Sequence, residues 1–228
     1  MRRTPFRVAG LTFSGLAAAS FACAHRLGRT SGSTADERRA PLPGDDLIDP
    51  FGTTEHAVTV AAPPEQVWPW IVQMGYHRGG WYTPRWVDRW VWHIDNPSAE
   101  ALLPDLQGLT VGDVVPDGEP GTAWYDVVEL EPARHLVLYS TTHVPPALGR
   151  VMHVAWTWTF VLEPIPTGTR LRLRARARGN VVAFLFWHLI VVPSDYVMAP
   201  AMLDGIRERA ERASPATPPG PTEPSPTG

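Results

Sequence analysis

The stretch TRLRLRARAR, residues 169–178, constrains the fold more than any other part of the chain. Arginine recurs at 170, 172, 174, 176 and 178, and Leu171, Leu173, Ala175 and Ala177 fill the places between. A side-chain period of two belongs to an extended strand, so the five arginines share one face and the small apolar set the other. Such a strand predicts an antiparallel sheet that is apolar on one side only. The arginine row reads first as a solvated sheet face and second as a patch for anionic lipid. Residues 152–162 alternate in the same way, with Val154, Trp156, Trp158, Phe160 and Leu162 on one face. Residues 124–130 and 135–140 flank Glu131-Pro132-Ala133-Arg134 as a hairpin, and residues 56–61 form a further short strand.

The apolar face needs a helical cover. Residues 65–74 (EQVWPWIVQM) put Val67, Trp70, Ile71 and Met74 on one side of a helix, with Pro64 in its first turn. Pro69 predicts a kink or an early stop. Residues 194–212 supply a long C-terminal helix, capped by Ser194, with Met198, Met202 and Ile206 on one stripe. Pro200 should kink it or shift its start. Strand, helix, several antiparallel strands and a long last helix make an α+β domain over residues 50–213.

Composition removes several kinds of chemistry. All 20 basic residues are arginine. Without lysine there is no Schiff base and no P-loop. The single cysteine, Cys23, excludes an internal disulfide and a thiolate metal cluster. Residues 1–30 carry five arginines and no acid, which leaves 15 arginines against 23 acids in the remainder. A body that acidic lacks the basic footprint of a nucleic-acid binder.

Arg2, Arg3 and Arg7 precede an uncharged stretch, residues 8–24, which Arg26 and Arg29 close. Three readings stay open for residues 1–27: a retained membrane anchor, a cleaved export signal ending near Ala22-Cys23-Ala24, and a buried helix of the domain. The first two place the protein at the cell membrane or outside it, and arginines on both flanks leave the orientation undecided. Residues 28–49 read as a polar linker. Residues 214–228, with six prolines, read as a disordered tail.

The segments APPEQVWPWIVQMG (62–75), RGGWY (78–82), LTVGD (109–113), WTFVLEP (158–164) and MLDGIRERAE (202–211) resemble the SRPBCC, or START-like, superfamily. The likeness is greatest to bacterial members labelled polyketide cyclase/dehydrase or lipid-transport-like, and it covers about residues 50–212. It implies a helix-grip fold: a curved antiparallel sheet wrapped around the long C-terminal helix, here with a hydrophobic helix added at the N-terminus. It also implies an apolar pocket between sheet and helix, and no single activity.

Catalytic signatures are missing: there is no G-x-S-x-G, no H-E-x-x-H and no glycine-rich phosphate loop. His93-Ile94-Asp95 with His143 or His153 imitates an iron-binding facial triad, but it lies in an aromatic, helix-prone setting, and no metal or cofactor is expected. The ten tryptophans are the better clue. Indole offers a large apolar face and one N–H, which suits a pocket lining as well as an aromatic core. With the family likeness, the expected lining is Trp81, Trp156, Trp158, Phe160, Leu171, Leu173, Ala175, Met198 and Met202. Tyr125, Tyr139, His153 and Asp195, with His93 and Asp95, are the polar groups expected to orient a ligand. The apolar run 181–192 is too short to span a bilayer and reads as a lid over the pocket or as core. The expected partner is a hydrophobic small molecule, with the membrane reached through the N-terminal segment. The rival readings are a cyclase or dehydratase using a pocket His or Asp, and a ligandless domain with a filled core.

Overall fold

The computed structural model describes residues 5–87, 89 and 97–213, with side chains from residue 18 onward along the first helix. The elements are α1 (Pro5–Thr30), α2 (Ala35–Arg39), β1 (Gly52–Val60), α3 (Pro64–Val72), the single turn α4 (Arg85–Val87), β2 (Val114–Pro116), β3 (Trp124–Glu131), β4 (His135–Ser140), β5 (Val154–Ile165), β6 (Gly168–Gly179), α5 (Val181–Phe186) and α6 (Val192–Ala213). A π-helical segment, Trp187–Val191, joins α5 to α6. The six strands form one antiparallel sheet in the order β1-β6-β5-β4-β3-β2.

Register settles the two faces. Trp156 lies opposite Ala177 and Ser140, Trp158 opposite Ala175 and Leu138, and Phe160 opposite Leu173 and Leu136. Thr54 lies opposite Ala175 and His56 opposite Leu173. These side chains point to the concave face, against which α3 and α6 pack. Val67, Trp70, Ile71 and Met74 are buried there with Phe160, Leu162, Leu171, Leu173, Met202 and Ile206. The helix expected at 65–74 thus forms, and it stops at Val72, three residues after Pro69. Arg78 satisfies its end: Nε donates to the Met74 carbonyl and Nη2 to the Val72 carbonyl. The RGGWY motif is therefore a helix terminator, with Gly75 and Gly80 both at positive φ in a bridge that turns the chain back.

The arginine face is not solvated except at Arg178, which corrects the first reading. Residues 31–48, expected as a free linker, lie across the convex face and bury it. Arg172 and Arg174 are 2% and 4% exposed. Both donate to Glu55, itself 2% exposed, on the neighbouring strand. Arg170 pairs with Glu37 (2.6 Å), Arg174 with Asp45 (2.6 Å) and Arg172 with Glu163 (2.8 Å). Spare guanidinium protons reach the carbonyls of Gly32, Glu37 and Ala40. A period of two does place five arginines on one side. It cannot show that a strap 130 residues upstream brings the carboxylates and carbonyls that permit their burial.

The last helix also begins earlier than its sequence signals suggest. Asn180 is the cap, its Oδ1 accepting the Ala183 N–H (3.2 Å), and helix runs on through Ala213. Ser194 lies inside it and donates to the Ile190 carbonyl. Pro193 lacks an N–H and crowds the carbonyl four residues back, which accounts for the wide π turn just before it. That turn aims Trp187 into space left by Gly52, Ala175 and Ala177. Val181–Arg212 is long and apolar enough to cross a membrane, with a window of mean hydropathy 1.7. One side of it nevertheless grips the sheet, burying Trp187, Val192, Ala199, Met202, Leu203 and Ile206.

Candidate functional site

Over most of the concave face the side chains are sealed, but Trp156 and Trp158 stay partly exposed. Their β5 neighbours Thr157 and Thr159, which point the other way, are buried under the strap. At Trp156 and Trp158 the inner face is thus partly open while the outer face behind it is closed; Val58 and Leu130 are the other described inward side chains that stay partly buried. Around Trp158 stand Trp81 (ring centroids 5.3 Å), Tyr125 (5.4 Å, stacked) and Phe160 (5.4 Å). Around Trp156 stand Trp187 (5.1 Å) and His143 (5.8 Å). Ala175 lies opposite Trp158, and its small side chain leaves room for Trp187, which packs with both indoles.

Polar groups enter from four elements. Asp195, in the first turn of α6, accepts the Thr54 hydroxyl (3.1 Å) and lies 3.8 Å from His56 Nε2. His56 is buried, and neither ring nitrogen has a hydrogen-bond partner; the same holds for Nε1 of Trp81 and of Trp156. Tyr125 is wholly buried, which pushes its phenol well above the ordinary value, and the carboxylates of Asp117 and Asp195 push it the same way. It stays a protonated hydroxyl. His143 lies tilted against Tyr125 (ring centroids 4.3 Å), with Nε2 2.9 Å from Asp117 and Nδ1 2.8 Å from Ser140 Oγ. Assigned from this network, Nε2–H donates to the carboxylate and Nδ1 accepts the serine hydroxyl. The trio imitates a hydrolase triad, but Ser140 is buried and its oxygen also accepts the Thr142 N–H (3.0 Å). It is a clamp that fixes an aromatic wall, not a nucleophile.

Trp81, Tyr125, Trp156, Trp158, Ala175 and Asp195 fall at or beside this floor, and Met198 is partly buried on α6. Phe160, Leu171, Leu173 and Met202 are sealed in the core beneath it and offer no surface. Tyr139 points to the convex face with Thr157, opposite to expectation, because strand parity puts Ser140 and Leu138 inside. His153 is exposed at the start of β5, beside Asn180, and is removed from the site. Trp90, Trp92, His93 and Asp95 lie outside the described residues. Among the described residues, no group of three His, Cys, Asp or Glu side chains could hold a metal ion. Sequence reasoning missed His56, Asp117, Ser140 and Trp187, which come from distant segments and form no spaced motif.

Two further clefts are open and lie off the tryptophan floor. One, of about 1200 Å³, lies between Tyr82 and the charged end of α6 at Glu208 and Arg209. The other, of about 280 Å³, lies by Tyr76, Val114 and Trp124.

The topology is that of a curved antiparallel sheet gripping a C-terminal helix, the helix-grip fold that the sequence resemblance implies. No family model matches the chain, and no curated protein matches it. Solved structures similar to it include NE0264 from Nitrosomonas europaea, at 15% identity and TM-score 0.44, covering 76% of this chain and all of that one. MLL2253 from Mesorhizobium loti matches at 20% identity and TM-score 0.42, covering 72% and 99%. The Polyketide_cyc-like protein Cgl2372 from Corynebacterium glutamicum matches at 19% identity and TM-score 0.36, covering 68% and 88%. At these identities the likeness is one of fold and says nothing of a ligand.

Proposed function

We propose that this domain binds an apolar small molecule of lipid, isoprenoid or polyketide-like kind against the Trp156–Trp158 floor, while its N-terminal segment holds it at a membrane or directs its export. The observation that carries the reading is the partial exposure of two neighbouring inward indoles, Trp156 and Trp158, set among further aromatic rings. Each buried Å² of ligand contributes roughly 25 cal/mol before the costs of association. Asp195 offers a carboxylate to orient a hydroxyl or amine. Titration with farnesol and with oleic acid, followed by tryptophan fluorescence, tests the reading. Trp158→Ala should weaken binding about tenfold, the equivalent of about 1.4 kcal/mol, and Ala175→Trp should block it. Saturable binding unchanged in both variants would sink the assignment of the site.

A second reading, acid–base chemistry on such a ligand, is favoured by one observation only: the unpartnered His56 beside Asp195. It stands in place of the candidate expected at His153; the His93 and Asp95 pair lies outside the described residues. Turnover that survives both Asp195→Asn and His56→Leu would eliminate it.

A further inference from the structure

We infer that α1 and α5 together form a bilayer-docking foot, so that the domain sits on the membrane in a fixed orientation rather than swinging on a tether. The inference takes up the anchoring reading of α1 and is independent of what occupies the tryptophan floor. Two contacts set the geometry. His25 Nε2 lies 3.2 Å from His188 Nδ1, with the rings stacked. Three residues further along, Gly28 meets the backbone of Val192 and Tyr196 so closely that any side chain there would collide with the Val192 carbonyl. Position numbers rise together on both helices, so α1 and the C-terminal helix run parallel.

That register places residues 18–24 of α1 at the same end of the domain as α5. Ala18, Ala19, Ser20, Phe21, Ala22 and Cys23 are all exposed, so this part of α1 is not a buried helix of the domain. At that end, Val181, Phe184, Leu185, Leu189 and Ile190 are exposed too, between 41% and 69%. Two helices therefore present exposed apolar residues at one end of the domain, and those of α5 cluster more closely than scattered single residues would.

Charge fits a lipid surface better than a protein one. No acid occurs before Asp36, nor between Glu163 and Asp195, while Arg26 and Arg29 end the uncharged stretch of α1. An apolar face edged by arginine and free of carboxylates suits anionic headgroups over hydrocarbon. Seven residues at 1.5 Å each put the start of α5 about 10 Å deeper than the level of His25 and Arg26, within the depth to which interfacial helices bury. Met152, Val154 and Ala183 pack with Trp156 and Phe186, so the foot adjoins the tryptophan floor. A molecule leaving the bilayer would meet the floor at this edge.

The test uses the full chain with Cys23→Ser and one new cysteine carrying the fluorophore NBD, either Leu185→Cys or, at the opposite sheet edge, Val111→Cys. Both positions are half exposed or more, so labelling leaves the fold intact. The chains are mixed with phosphatidylcholine vesicles containing phosphatidylglycerol and lipid brominated in the acyl chain. The expected result is flotation of both chains, with blue-shifted and bromine-quenched emission at position 185 and neither effect at position 111. Flotation with position 185 reporting water would overturn the foot and leave the anchor. A chain that does not float would overturn both. Shielding of position 185 without lipid, rising with protein concentration, would show a second copy on this face and would also overturn the proposal.

Discussion

Glu55 and Glu37 carry the most exposed physical claims at the scale of single residues. Glu55 sits buried between Arg172 and Arg174, and removing its charge leaves two buried guanidiniums facing a neutral group. Glu55→Gln should cost about 3–5 kcal/mol of stability, read from denaturant unfolding. A loss under 1 kcal/mol would mean that water reaches the arginines after all. Glu37 is held down to about 2, from an ordinary 4.5, chiefly by its hydrogen bonds to Arg170. A carboxyl whose folded value is depressed stabilises the fold above its unfolded value and loses that contribution as pH falls through the folded one. The strap should therefore loosen between about pH 4.5 and 2, seen as faster hydrogen exchange in residues 33–40. Glu37→Gln should remove that pH dependence while Glu55 still holds the sheet. The arginines themselves were legible in the sequence, since their spacing admits only a strand. Their partners were not, because Glu37 and Asp45 reach them across more than 120 residues and no local pattern records it.

At the scale of elements, the C-terminal helix is where reading and structure part most informatively. Met202 and Ile206 of the expected stripe are buried against the sheet, but Ser194, expected as the cap, lies inside the helix. A π turn carries the helix past Pro193 and seats Trp187 against Gly52, Ala175 and Ala177. Residues 181–192 are accordingly neither lid nor core alone: Ala183, Trp187 and Val192 point in, and Phe184, Leu185, Leu189 and Ile190 point out. Trp187→Ala should cost about 3–5 kcal/mol through the cavity it leaves, and calorimetry should show a corresponding fall in Tm. Gly28→Leu should separate α1 from α6, because the new side chain meets backbone that cannot yield. Cleavage by trypsin after Arg26 and Arg29 should then become rapid while the sheet domain stays intact; unchanged protection would mean that α1 docks by other contacts.

The whole molecule combines an outer face largely covered by the strap with an inner face partly open at its aromatic patch. Strand alternation made the inward direction of Trp156 and Trp158 legible, and the family likeness supplied the helix that grips them. The family likeness puts Tyr139 inside, whereas strand parity puts Ser140 there instead, and His153 lies just before β5 begins to pair. His143, Asp117 and Ser140 could not be grouped from sequence, since turns rather than spacing bring them together. The account rests on a ligand occupying the tryptophan floor rather than the charged cleft at Arg209 or the outer face of α5. Photocrosslinking tests this most directly: full-length protein in vesicles is loaded with a diazirine-bearing isoprenoid alcohol, illuminated, digested and mapped by mass spectrometry. Labels on Trp156, Trp158, Tyr125 or Met198, lost in Ala175→Trp, are the expected result. Labels confined to Glu208–Arg212 or to Phe184 and Leu185, and unchanged in Ala175→Trp, would contradict it.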